Sequence, residues 1–299
     1  MHHLSWLEAG VVGIFQGVSE LFPVSSLGHS VLIPAVIGGS WARDLNVSSP
    51  ESPYLAYIVG LHVATAIALI IYFWRDWVRI IGGLFTSITR REVRTSDQRL
   101  AWLLVLATIP VGLTGLLFEH WFRTTVAKPV PTAILLTVNG LILLGIEWFR
   151  RGTPINSEYV DERVTGPESD ERLARLSIPT AVGIGSAQIL ALGPGISRSG
   201  ITMATGLVRG LTREDAARFS FLLATPVILA AGALKLGDLT GPLGNGIRGQ
   251  VVFGSVLSGV GAYLAVRFLT RYLANRSLRP FGVYCMIAGV ASLAVFGLR

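Results

Sequence analysis

Six apolar runs of roughly twenty residues, at positions 54–74, 99–118, 132–149, 216–236, 251–269 and 281–298, constrain this chain more than any other feature. A helix rises about 1.5 Å per residue, so each run is long enough to cross the ~30 Å hydrocarbon layer of a bilayer. The composition agrees: 51% of residues are hydrophobic, 14% are charged, and the mean hydropathy is +0.59. A chain so balanced has lipid as most of its solvent. The expected fold is therefore an all-α integral membrane protein.

Two further apolar regions, 7–37 and 178–208, are about thirty residues long and are broken near their middles by Pro, Gly and Ser. One straight helix through either is excluded by those residues, so each reads as a re-entrant hairpin: a helix, a turn and a second helix leaving on the side of entry. Broken backbone at membrane depth is tolerated only where it is buried in protein or lines a wet cavity, which makes both turns functional candidates. At an offset of 172 residues, Gly13, Gln16, Ser25 and Gly28 fall on Gly185, Gln188, Ser197 and Gly200. The chain then divides into a first repeat, 1–150, a polar cytoplasmic linker, 151–177, and a second repeat, 178–299. Each repeat holds one hairpin and three spans. Because three is odd, the second copy is inverted relative to the first, giving six transmembrane helices plus two re-entrant hairpins in an inverted repeat.

Loop charge supports that arrangement. Loops assigned to the inside carry Arg75, Arg79, Arg90, Arg91, Arg94, Arg150, Arg151, Arg163, Arg172, Arg175, Arg271, Arg276 and Arg279, whereas the outside loops carry only Arg43, Arg123, Lys128 and Arg248. The net charge of +7 thus reflects the positive-inside bias of a multi-pass protein and not a nucleic-acid surface. The N-terminus shows no removable signal peptide, and His2 and His3 give no metal spacing. Trp74, Trp77, Trp121 and Trp148, at span ends, read as interfacial anchors, and the single cysteine, Cys285, as a small buried or lipid-facing side chain.

Away from their ends, the apolar regions hold few ionisable groups: Glu20, His29 and Arg198 in the hairpins, and His62 in the first full span. Each is costly in hydrocarbon and needs a partner or a function. Gln16 and Glu20, four apart, share a face of the entering helix; Pro23 ends that helix, and Ser25 or Ser26 caps the next. In the second hairpin, Gly195 lets backbone come close to a ligand, Ser197, Ser199 and Thr202 offer hydroxyls, and Arg198 adds a planar fork matched to phosphate oxygens. Ser25 joins this phosphate-binding set from the first hairpin. Together these residues describe an anion cradle at a helix N-terminus. His62 reads as a packing residue, and Asn139 and Gln188 as interhelical hydrogen bonders.

The patterns Gln16-x-x-x-Glu20 with Pro23-Val24-Ser25-Ser26-x-Gly28-His29, and Pro194-Gly195-x-Ser197-Arg198-Ser199-x-x-Thr202, resemble the two signatures of the undecaprenyl-diphosphate phosphatase (bacitracin-resistance) family. The resemblance extends over nearly the whole chain. It implies hydrolysis of undecaprenyl diphosphate to undecaprenyl phosphate in the bacterial cytoplasmic (inner) membrane, with a divalent cation, Mg²⁺ or Ca²⁺, as cofactor. It also leaves room for a homodimer. Carried onto this chain, it makes Glu20, Ser26, His29 and Arg198 catalytic and assigns metal binding to Glu20 and Gln16. Many members have Glu at the position of Gln16, so the carboxylate pair is incomplete here. For the nucleophile, Ser26 with His29 as its base stands beside direct attack by His29 or by an activated water.

A secondary transporter or lipid flippase is the rival reading, since inverted repeats with broken helices typify carriers. The type 2 phosphatidic-acid phosphatases are excluded, because the second histidine they require falls on Ala204.

Overall fold

The computed structural model describes residues 4–45, 53–150, 167–235, 237, 241 and 246–297, which are helical with no strand among them. His2, His3, Arg151, Glu158, Arg163 and the run ends Leu236 and Leu298 lie outside the described residues. The helices are α1 Trp6–Leu21, α2 Ser26–Ile37, α3 Gly39–Asp44, α4 Pro53–Tyr72, α5 Trp74–Arg90, α6 Ser96–Trp121, α7 Pro129–Phe149, α8 Pro167–Ala174, α9 Ile178–Ser186, α10 Arg198–Val208, α11 Arg213–Leu234, α12 Arg248–Asn275 and α13 Arg279–Gly297. Helices α6, α7, α11, α12 and α13 are each long and apolar enough to cross a membrane. Counting each of two bent helix pairs as one span raises that number to seven. The chain is an all-α, multi-pass membrane protein.

Both expected hairpins are helix–turn–helix. Helix α1 begins with a capping box, Ser5 and Glu8 each bonding the other's backbone, and stops at Leu21 just before Pro23. In the second, α9 tightens into a 3-10 stretch, Ala187–Leu192, before the turn that leads to α10. Small residues let the first helix of each hairpin lie close against a long helix of the other half. A Cβ on Gly13 would stand 2.6 Å from the Gly254 carbonyl oxygen of α12, and one on Gly185 would run into the Ala107 backbone of α6. These two glycines are the same position of the 172-residue offset, and they perform the same packing task. Helix α4 lies against α11 and α12, and α7 packs along α13.

Two segments differ from the sequence expectation. Residues read as an inside loop with Arg75, Arg79 and Arg90 form α5, bent 89° from α4. Its Asp76, Ile80, Gly83 and Ser87 are buried, while Trp74, Val78, Ile81, Phe85 and Ile88 form an exposed apolar stripe at three- and four-residue spacing. An apolar stripe beside basic residues is the pattern of a helix that lies along a bilayer surface. Trp77 faces the core, whereas Trp74, Trp121 and Trp148 are exposed as anchors should be.

The linker, expected to be solvated, contains α8, which is docked. Arg218 of α11 is fully buried and pairs with Asp170 of α8 at 2.7 Å and Asp76 of α5 at 3.2 Å. Arg79 contacts both of those aspartates, and Arg172 is paired bidentately with Asp215. A charge removed from water needs such partners, and α8 supplies them. Glu147 of α7 likewise binds Arg213 and the Leu278 amide, tying the start of α11 to the approach to α13.

Candidate active site

Each hairpin turn ends in a serine that caps the next helix. Ser25 Oγ accepts from the Gly28 amide, and Ser197 Oγ accepts from the Gly200 amide. These four residues are the Ser and Gly pairs of the offset. Ser25 holds a left-handed conformation, φ 67°, which is unfavourable for a residue with a Cβ. Several bonds hold it there: its Oγ also accepts from the Gly195 amide at 3.1 Å, and its carbonyl accepts from His29 Nδ1 at 2.8 Å.

The two turns pack directly on each other. A Cβ on Gly28 would lie 2.9 Å from the Gly195 nitrogen, and Gly195, at φ 113°, runs so close to Thr132 and Leu136 that only glycine fits. Ser197 and Ser199 hydroxyls donate to the Phe22 carbonyl. Asn139 of α7 spans both turns: its Nδ2 donates to the Pro23 carbonyl at 3.1 Å, and its Oδ1 accepts from the Ser197 amide at 3.0 Å. The interhelical role read for Asn139 becomes specific here, since one side chain sets the spacing between the two signatures. Cys285 is buried beside it, 3.3 Å from Asn139 Nδ2.

Glu20 is the hub of the site. Its Oε1 accepts from Arg198 Nη2 at 2.7 Å, joining the hairpins through a largely buried ion pair. Its Oε2 accepts from Gln16 Nε2 at 2.9 Å and from the Ser26 hydroxyl. Arg198 Nη1 donates to the Ala224 carbonyl of α11, which fixes the plane of the guanidinium. Of the four residues expected to be catalytic, Glu20, Ser26 and Arg198 are therefore together in space, and His29 is not among them.

His29 stands apart from that grouping. Its ring spans from the Ser25 carbonyl to the Tyr284 hydroxyl, 2.8 Å from Nε2, and packs against Phe15 and Tyr284. Among the described residues no hydrogen bond joins its ring to Ser26, Glu20 or Arg198; three residues along α2 from Ser26, it faces α13 instead. The phosphate-binding hydroxyls expected from sequence, Ser25, Ser197, Ser199 and Thr202, are buried and engaged with backbone, Thr202 donating to the Arg198 carbonyl. Gln188 bonds the Gly185 carbonyl within its own helix.

His62 was missed. From α4 its Nε2 lies 3.2 Å from Gln16 Nε2 and 3.3 Å from Glu20 Oε2, while Nδ1 donates to the Ile58 carbonyl. The available signal was its being an ionisable group in mid-span; nothing in the sequence of α4 says which way it is rotated about its axis.

The metal set expected from Glu20 and Gln16 does not fit a resident divalent cation. Hard cations take six or more oxygen ligands, carboxylates above all. This site offers one carboxylate, with a guanidinium on one oxygen and Gln16 Nε2, the Ser26 hydroxyl and His62 Nε2 crowding the other. Gln16 turns its amide nitrogen to Glu20, because two facing oxygens would repel. Among the described residues no group of three or more His, Cys, Asp or Glu side chains could hold a metal.

Fold and site together define a polytopic membrane protein with a buried carboxylate–guanidinium centre between two helix N-termini. Residues 9–291 match the family described as bacitracin resistance protein BacA. The undecaprenyl-diphosphatase of Mycolicibacterium paratuberculosis is 62% identical over 302 residues, covering 99% of both chains. Undecaprenyl-diphosphatase 1 of Frankia casuarinae is 48% identical over 370 residues, covering 100% of both, and undecaprenyl-diphosphatase 2 of Chromobacterium violaceum is 42% identical over 293, covering 96% of this chain and 97% of its own. This chain belongs to the BacA bacitracin resistance family.

Proposed function

We propose that the chain hydrolyses undecaprenyl diphosphate to undecaprenyl phosphate and phosphate in the bacterial cytoplasmic membrane, recycling the lipid carrier of cell-wall synthesis and conferring bacitracin resistance. The observation that carries this reading is the Ser26 hydroxyl donating to Glu20 while Arg198 occupies the other carboxylate oxygen. Phosphoryl transfer depends mainly on positioning and charge neutralisation, and this arrangement supplies a nucleophile, a proton acceptor and a cation within one contact shell.

Ser26 Oγ attacks the terminal phosphorus, its proton passes to Glu20, and the bridging P–O bond breaks to release undecaprenyl phosphate. Glu20 passes that proton to the departing undecaprenyl phosphate; water then attacks the phosphoserine, giving a proton to Glu20, which returns it to Ser26 Oγ as the Ser26 O–P bond breaks and phosphate leaves. Arg198 neutralises the non-bridging oxygens and swings only slightly from Glu20 to do so. His29 holds the Ser25 turn and hence the start of α2. All these residues come from one chain, so the reading requires no homodimer.

The halves 1–150 and 178–299 form an inverted pair in this reading. Support comes from matched roles at the 172-residue offset: Ser25 and Ser197 as caps, Gly28 and Gly200 as their donors, and Gly13 and Gly185 as close contacts with the opposite half.

Phosphate release from a C55 polyprenyl diphosphate in detergent, where no compartments exist, separates an enzyme from a flippase. Ser26→Ala is expected to lower kcat by roughly 10³-fold, and His29→Gln by about tenfold. Equal losses in both variants would return the base to His29; full activity in Ser26→Ala would remove the nucleophile.

A further inference from the structure

Of the Glu20 cluster, the most exposed residues are Arg198, with 16% of its side chain accessible, and His62, with 25%. Glu20, Gln16 and Ser26 lie behind them. His62 therefore stands at the open edge of the site and also reaches its centre. Its Nδ1 faces a carbonyl, which can only accept, so Nδ1 carries a proton and Nε2 is the atom turned toward Gln16 and Glu20. As a lone pair, Nε2 accepts from the Gln16 amide; with a proton, it donates to Glu20 Oε2. In either form the imidazole closes the ring of contacts that turns Oε2 toward Ser26. Among the described residues no helix other than α4 contributes a side chain at that position of the ring.

We infer that His62 is a positioning residue of the hydrolysis, holding Gln16 and Glu20 in register with Ser26, and that these residues form a site binding no divalent cation before the diphosphate arrives. The inference rests on the proposed phosphatase reading and extends it. A single carboxylate held by Arg198, Gln16 and His62 is already neutralised and hydrogen-bonded, so it has neither the charge nor the free oxygens that a hard cation needs. Any divalent cation used in turnover would enter on the phosphate oxygens of the lipid.

Two substitutions separate positioning from packing. Glutamine at 62 keeps a donor and an acceptor at the reach of the imidazole, whereas asparagine is polar but too short to reach Gln16 and Glu20. With a C55 polyprenyl diphosphate in detergent, His62→Asn is expected to lower kcat about 30-fold with KM within threefold, and His62→Gln to recover kcat to within about fivefold of the parent. Without substrate, Mn²⁺ added to the parent protein is expected to stay free by electron paramagnetic resonance, while Gln16→Glu, which adds a second carboxylate beside Glu20 and His62, binds about one ion per chain. Parent-level kcat in His62→Asn, or equal losses in the Asn and Gln variants, would overturn the positioning role. Binding of Mn²⁺ by the parent that Glu20→Gln removes would overturn the metal-free site. Absence of phosphate release by the parent itself would instead sink the phosphatase reading, and the Mn²⁺ arm would still report on the site.

Discussion

The pair Glu20–Arg198 joins the two hairpins, and a double-mutant cycle on it tests whether they meet as described. The charges are 2.7 Å apart, with 7% and 16% of their side chains exposed, so solvent screens them little. At an effective dielectric of about 20, the gross attraction is ~6 kcal/mol, most of it offset by the cost of taking both ions out of water. Removing one partner loses the attraction and leaves the other charge buried, which costs about 3 kcal/mol. Removing both leaves neutral, hydrogen-bonding or apolar groups. Glu20→Gln and Arg198→Met should each destabilise by about 3 kcal/mol, and the double variant also by about 3 rather than 6, a coupling of ~3 kcal/mol. In a protein of this size each single loss should appear as a fall of roughly 5 °C in thermal melting in detergent. Scan-rate independence would show that the comparison is one of equilibrium stabilities. Additive losses, with the double variant melting lower by the sum of the singles, would mean that the two side chains do not interact and that the turns are not apposed through this pair.

Asn139→Leu removes the bonds to the Pro23 carbonyl and the Ser197 amide, leaving the amide without that partner and the carbonyl with only the Cys285 thiol, which should cost about 2–4 kcal/mol, read as a lowered melting temperature together with a loss of turnover. Gly185→Val places a side chain in the Ala107 backbone, so α9 cannot seat on α6, and the variant should fail to accumulate in membranes, as measured by immunoblot of the membrane fraction. Arg218→Met leaves Asp170 and Asp76 facing each other without their fully buried partner and should cost about 3–5 kcal/mol. Limited proteolysis of that variant should cut near α8 at protease levels that spare the parent.

The lipid-solvated helical fold, the breaks at Pro23 and Pro194, and the serine caps of α2 and α10 could all be read along the chain, because each depends on neighbours a few residues away or on the hydropathy of a run. The offset between Ser25 and Ser197 went further and anticipated two turns of one kind. Glu20, His29 and Arg198 were each marked as needing a partner or a function by the expense of charge in hydrocarbon. Sequence stopped short where rotation and docking matter. A span of even hydropathy gives no face to α4, so His62 could not be aimed at Glu20 in advance, and His29, though inside a signature, turns toward Tyr284 because α2 is rotated to bring Ser26 to the carboxylate. The polar composition of the linker said nothing of α8, whose aspartate gains its partner only when Arg218 of α11 arrives from 48 residues away. Local chemistry determined what the elements are. Tertiary structure alone decided which polar groups meet, because a buried charge or amide takes its partner from whatever helix packing brings within about 3 Å.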